Sequence, residues 1–262
     1  MADQRCTVQG LTMTKAGGKQ TMATITTSTT LTVPDLRERW LPHKERLNAT
    51  GSGHPTAVRF HRACSWLEEV ERFHTEDQTD HALIFRWTAF NALYGQWDLD
   101  RHEPLADRQS WQVFLSRMLE LDTTGHIVSL LNEHRGLVLA ILGNPYLNDY
   151  FWQNPCREKA GKTRQGGRHK AEAWYAQKQW NRILDEVVDR IYLLRCQLVH
   201  GAATLRSGLN REAVRHCATM AGLLVPTFLL VWIDHGADED WGIMCYPPVQ
   251  HGAGDIRRRR PG

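Results

Sequence analysis

Arg195 and His200 stand with four residues between them in the run Arg195-Cys196-Gln197-Leu198-Val199-His200-Gly201. Histidine titrates near neutrality and can give or take a proton. Arginine keeps its charge and grips a phosphate or carboxylate through a planar fork. The pair therefore offers one acid–base group and one cation that can stabilise a developing negative charge.

These residues need a helix to position them. At 100° per residue, Ile183, Leu184, Val187, Val188, Ile191, Leu194, Leu198 and Val199 share one broad apolar face, and Arg195 points out of its middle. Arg182, Asp185, Glu186, Asp189, Arg190 and Gln197 lie on the other side. A cation in such a stripe is either paired with an acid or opens onto a cleft. On an ideal helix His200 lies about 140° round from Arg195. The two converge if the helix ends at Gly201, or across a two-fold axis where both chains contribute.

The run from Arg195 to Gly201 resembles the Arg-x4-His signature of the HEPN superfamily, and Trp87-Thr88-Ala89-Phe90-Asn91-Ala92-Leu93-Tyr94-Gly95 is similar to the aromatic, Asn-containing helix that precedes it in many members. A further helix over about Asn210 to Asp234 follows the motif, and the likeness extends as a helical pattern from Ala57 to His235. HEPN proteins are small and all-helical, and many are metal-independent endoribonucleases of toxin–antitoxin, abortive-infection and CRISPR systems. The resemblance implies that Arg195 and His200 are catalytic. The family often carries Asn, Asp or His directly after the arginine. Here that residue is Cys196, so Gln197, one position later, is the polar group left to orient the pair. The tyrosine that some members carry two residues after the histidine is Ala202 here.

The implied reaction needs no metal and no cofactor. A base takes the proton of a ribose 2′-OH, the oxyanion attacks the adjacent phosphorus, and an acid protonates the leaving 5′-oxygen. RNA is then the substrate, with a 2′,3′-cyclic phosphate and a 5′-OH as products. One motif histidine per chain leaves the second proton transfer unassigned; the resemblance implies that a homodimer with facing motifs supplies it, and it implies an antitoxin or defence-system partner. The alternative is a non-catalytic HEPN-like module that dimerises or senses nucleotides within a larger assembly.

The net charge of the 262-residue chain is only +3, so any nucleic-acid surface must be local. The best candidate is Pro155 to Lys170, with Arg157, Lys159, Lys162, Arg164, Arg168 and Lys170 against the single acid Glu158. Gly161, Gly166 and Gly167 predict a flexible basic loop there, with Lys162, Arg164, Arg168 and Lys170 available to RNA phosphates, or a solvated insertion without a role. Gly161-Lys162-Thr163 is not a phosphate loop, because Cys156 stands where the first glycine must be. His74, Glu76, Asp77, Asp80 and His81 match no zinc or calcium spacing and read as a polar link.

The elements that follow from periodicity make an all-α bundle, HEPN-like, with an inserted helical and loop segment between its second and third core helices. Residues 1–33 read as a threonine-rich tail with at most a short strand near Thr30 to Val33. Residues 34–236 read as the domain: a short helix from Pro34 interrupted near Pro42, then helices from Ala57, over His81–Trp97, Gln109–Leu121, Thr124–Leu142, Ala171–Val199 and Asn210–Asp234. Residues 237–262 read as a mobile tail. Six scattered cysteines and a polar N-terminus point to free thiols in the cytoplasm. The apolar run Met220 to Ile233 is short for a bilayer and reads as a core helix, so no membrane is expected.

Overall fold

The three- and four-residue spacing of apolar side chains becomes helix over most of the chain. A computed structural model describes residues 31–49, 53–73, 78–206, 208 and 210–247. Among these, ten α-helices accompany one two-stranded antiparallel hairpin. The helices are α1 (Val33–Ala49), α2 (Pro55–Glu71), α3 (Thr79–Tyr94), α4 (Asp107–Leu121), α5 (His126–Glu133), α6 (Arg135–Leu142), α7 (Asp149–Trp152), α8 (Arg157–Ala176), α9 (Trp180–Val199) and α10 (Arg211–His235). The hairpin pairs β1 (Trp97–Asp98) with β2 (Glu103–Pro104). The tail expected over 1–33 and the strand near Thr30 lie mostly outside the described residues; Val33 itself opens α1.

The centre of the packing is α10, which touches α1, α3, α4, α5, α6 and α9. Its length and composition would pass for a membrane span, yet 67% of its most apolar window is buried in the protein, as in a core helix. The segment expected as an insertion supplies Trp111, Phe114, Ile127 and Leu131 to the same core. Trp87 of α3 meets Trp111 of α4 edge-on at 5.7 Å, and Tyr192 of α9 lies 4.9 Å from Trp111. These rings fix α9 against α3 and α4.

Four local expectations are corrected. α1 runs through Pro42, because Leu36, Trp40 and Leu47 on either side are buried and outweigh one lost backbone bond. The helix expected over Thr124–Leu142 is two, α5 and α6, meeting at His134. The stretch expected to be mobile from 237 is packed as far as Met244, and Arg62 bonds its backbone as far as Tyr246. Ala237, Trp241 and Met244 are buried, and Trp241 stacks on Trp232 at 4.3 Å. Buried Arg59 donates to the carbonyls of Trp241 and Gly242 as well as to those of Leu93 and Gly95 at the end of α3.

The fourth correction concerns the basic stretch. Pro155 to Lys170 is not a loop: from Arg157 it is the first part of α8, which ends at Ala176. A long helix over Ala171–Val199 is therefore replaced by α8 and α9, broken at Lys178 (φ 53°). One of the three glycines of α8 is there for contact. A Cβ on Gly167 would collide with the Leu142 carbonyl oxygen and lie 3.4 Å from the Gly143 Cα, so this glycine lets α8 press against the end of α6. Gly161 faces open space. Gly167→Ala is expected to cost about 1–3 kcal/mol through overpacking, whereas Gly161→Ala should stabilise by about 1 kcal/mol or less through helix propensity. Chemical denaturation of the two variants checks both signs.

Candidate functional site

α9 carries Arg195 at the point where it leaves the core. The apolar face is buried at Ile183, Leu184, Val187, Val188, Ile191 and Leu194, whereas Leu198 is half-buried and Val199 is 52% exposed. Arg195 is accordingly half-buried. Its guanidinium sits 5.9 Å from the centroid of the Tyr192 ring, and Nη1 lies 3.9 Å from the Cys196 sulfur. Burial pushes the Tyr94 and Tyr192 hydroxyls upward, nearby Asp107 adds to this, and the charge of Arg195 opposes it at both. Tyr94 donates its hydroxyl proton to Asp107 at 3.0 Å.

The other buried and half-buried arginines differ from it. Arg59 has four carbonyls, Arg37 has Glu68, Arg62 has the Cys245 and Tyr246 carbonyls, Arg86 has the Ala218 carbonyl, Arg190 has Glu186 and the Leu147 carbonyl, and Arg211 has Asp80 at 2.6 Å. Among the described residues Arg195 has no carboxylate or carbonyl partner. Of the two possibilities for a cation in this stripe, pairing with an acid is not the one realised. A half-buried guanidinium without an oxygen acceptor has donors to offer a ligand anion.

His200 is the exposed C-cap of α9. Gly201 follows at φ 71°, its amide donating to the Leu198 carbonyl, and the Ala202 amide donates to that of Gln197. This pattern is the glycine-terminated cap that ends a helix sharply. It stops α9 where the motif requires, but no hydrogen bond joins His200 to Arg195. Gln197 is turned away from both: its amide donates to the Tyr146 carbonyl at 3.1 Å, so an orienting role is not what this geometry gives it.

No family model matches the chain, and neither a curated protein nor a solved structure is found to be similar to it.

The four expected phosphate contacts divide between two sides of α8. At 100° per residue the Arg164–Arg168 pair lies about 180° from the Lys162–Lys170 pair. The buried Thr163, the half-buried Gly167 and the buried Ala171 form the seam between them. Lys162 and Lys170 line a cavity of about 420 Å³ with Tyr150, Trp174 and Arg190. Arg164 and Arg168 line another, of about 410 Å³, with Tyr146, Arg211 and His216. Sequence reasoning missed Tyr146, Arg211 and His216. The only available signal was Asn210-Arg211 at a helix start. Of the polar link considered for metal, Asp80 is the partner of Arg211, and His74, Glu76 and Asp77 lie outside the described residues.

Proposed function

We propose that this chain is an endoribonuclease of the HEPN kind, built on a HEPN-like helical bundle and acting without a metal. The observation that carries the reading is Arg195, half-buried at the end of α9 with no acid paired to it among the described residues, five residues before an exposed histidine. Arg195 would hold the reacting phosphate and stabilise the phosphorane, and His200 would move a proton at the 2′-oxygen or the leaving 5′-oxygen. The second proton transfer falls to a second chain. The half-buried Leu198 and the exposed Val199 and Leu205, which border a shallow apolar recess against Ile84 and Phe85 of α3, supply surface beside the motif for that copy. In this reading the protein is a toxin or effector of a defence or toxin–antitoxin system, held in check by a partner protein. The free thiols at Cys64, Cys156, Cys196, Cys217 and Cys245 suit a cytoplasmic setting.

The orientation of Gln197 and the missing bond between Arg195 and His200 favour a second reading, a non-catalytic HEPN-like dimerising or nucleotide-sensing module. One experiment separates the two. Purified protein, shown by light scattering to be dimeric, is incubated with end-labelled RNA in EDTA. Fragments ending in 2′,3′-cyclic phosphate and 5′-OH are expected. A folded dimer that leaves every RNA intact with and without divalent metal ions would overturn the nuclease reading. Cleavage only with added metal would overturn its metal independence.

A further inference from the structure

The two cavities beside α8 are unlike in one respect: in the Arg164–Arg168 cavity both of the helix's own cations lack an acid among the described residues. Lys162 is paired with Glu158 and Arg190 with Glu186 on the other side. Among the described residues neither Arg164 nor Arg168 has an ion pair. The cavity also receives Arg211, which keeps donors beyond the one given to Asp80, and His216, whose ring is 4.0 Å from the Glu212 carboxylate. Among the described residues Glu212 is the only acid in the wall.

The placement of Arg168 is built into the backbone. A Cβ on Gly143 would come 2.8 Å from the Arg168 Cγ, so the side-chain stem occupies the space that a larger residue at 143 would fill. Gly167, the residue before Arg168, fits over the carbonyl of Leu142, the residue before Gly143. Two glycines facing each other across the helix contact thus set the depth at which Arg164 and Arg168, one turn apart, enter the cavity. Across the cavity lies the start of the 25-residue α10. Its N-cap Asn210 (φ 59°) makes no side-chain cap, so the first-turn amides add partial positive charge to the side already occupied by Arg211.

We propose that this cavity is a phosphate-binding site. Arg164 and Arg168, which have no ion pair, with the spare donors of Arg211 beside them, select a doubly charged or diester phosphate over a neutral ligand. The volume of about 410 Å³ admits more than a bare phosphate, and the partly exposed Tyr146 in the wall is an aromatic on which a nucleoside base can stack. The Tyr146 carbonyl accepts from Gln197 of α9, which ties this wall to the motif helix. The ligand is thus a nucleoside phosphate unit. Its assignment to an RNA strand held beside Arg195 and His200 rests on the nuclease reading; its affinity for phosphate does not.

The test uses two variants that remove the same charge from the same helix. Inorganic pyrophosphate is titrated calorimetrically into the wild type, into Arg164→Gln/Arg168→Gln and into Lys162→Gln/Lys170→Gln. Glutamine keeps most of the stem that packs on Gly143, and Arg164→Gln alone serves if the double variant unfolds. The wild type is expected to bind. The arginine variant should lose affinity at least tenfold, the order expected from losing a charge-assisted hydrogen bond, and the lysine variant should stay within about threefold. No binding by the wild type, no loss in the arginine variant, or equal loss in both would overturn the site. A 2′-deoxy oligonucleotide, which cannot be cleaved by 2′-OH attack, is then added to the pyrophosphate complex. Displacement supports a strand phosphate in the cavity. Failure to displace overturns the RNA assignment while the phosphate site stands.

Discussion

His200→Ala is expected to lower RNA cleavage about 10²–10⁴-fold, the usual worth of a positioned acid–base group. It should leave unfolding free energy within about 0.5 kcal/mol of wild type. The imidazole is exposed, and the cap that ends α9 is made by the backbone amides of Gly201 and Ala202. Arg195→Ala is expected to cost about 10²–10³-fold, because a cation facing a developing oxyanion is lost. Arg195 is half-buried against Tyr192, so this variant should also lose about 1 kcal/mol of stability through its stem. Arg195→Lys keeps the charge but not the fork, and partial rescue would separate charge from bidentate grip. Single-turnover cleavage beside urea denaturation gives both quantities. Wild-type rates in both alanine variants would remove Arg195 and His200 from the active site.

The largest loss of stability is expected at a residue far from the motif. Arg59 is 1% exposed, and burial pushes its guanidinium down to about 10, so it remains charged at neutral pH. It spans two parts of the chain, donating to Leu93 and Gly95 on one side and to Trp241 and Gly242 on the other. Arg59→Met would preserve most of the volume and leave these buried carbonyls without donors. A loss of about 3–5 kcal/mol follows, as for removing one partner of a buried charged network. That is a large fraction of the roughly 5–15 kcal/mol that holds a domain together. Arg62, half-buried and bonded to the carbonyls of Cys245 and Tyr246, should cost far less when changed in the same way. Guanidinium denaturation read by tryptophan fluorescence compares the two. A loss below about 1 kcal/mol in Arg59→Met would show that the segment after α10 is held by its other contacts, the Trp241 stacking and the Arg62 bonds among them.

The helices were legible where burial follows sequence spacing. Phe60, Ala63, Cys64, Leu67 and Val70 repeat at three and four and are all buried on α2, and α10 begins and ends within a residue of its expected bounds. What was not legible depends on partners distant in the chain. Gly167 looks like a helix breaker until Leu142 is seen against it. The break between α8 and α9 has the same two backbone bonds as the cap at Gly201, from Lys178 to Tyr175 and from Gln179 to Trp174. It uses a lysine where glycine is usual, so no residue type announces it. The odd phase of Arg195 could be read from the sequence. Its lack of an acid partner, and the turn of Gln197 toward Tyr146, required the fold.

The arginine clamp after α10 has a consequence for how this protein can change. Arg59 and Arg62 hold residues 241, 242, 245 and 246 by their carbonyl oxygens, which every amino acid supplies. The arginine bonds therefore constrain the path of this strap and not its side chains, of which Trp241 and Met244 are buried and Tyr246 meets Trp97 edge-on. Homologues could keep the two arginines and the strap's course yet share almost no sequence along it.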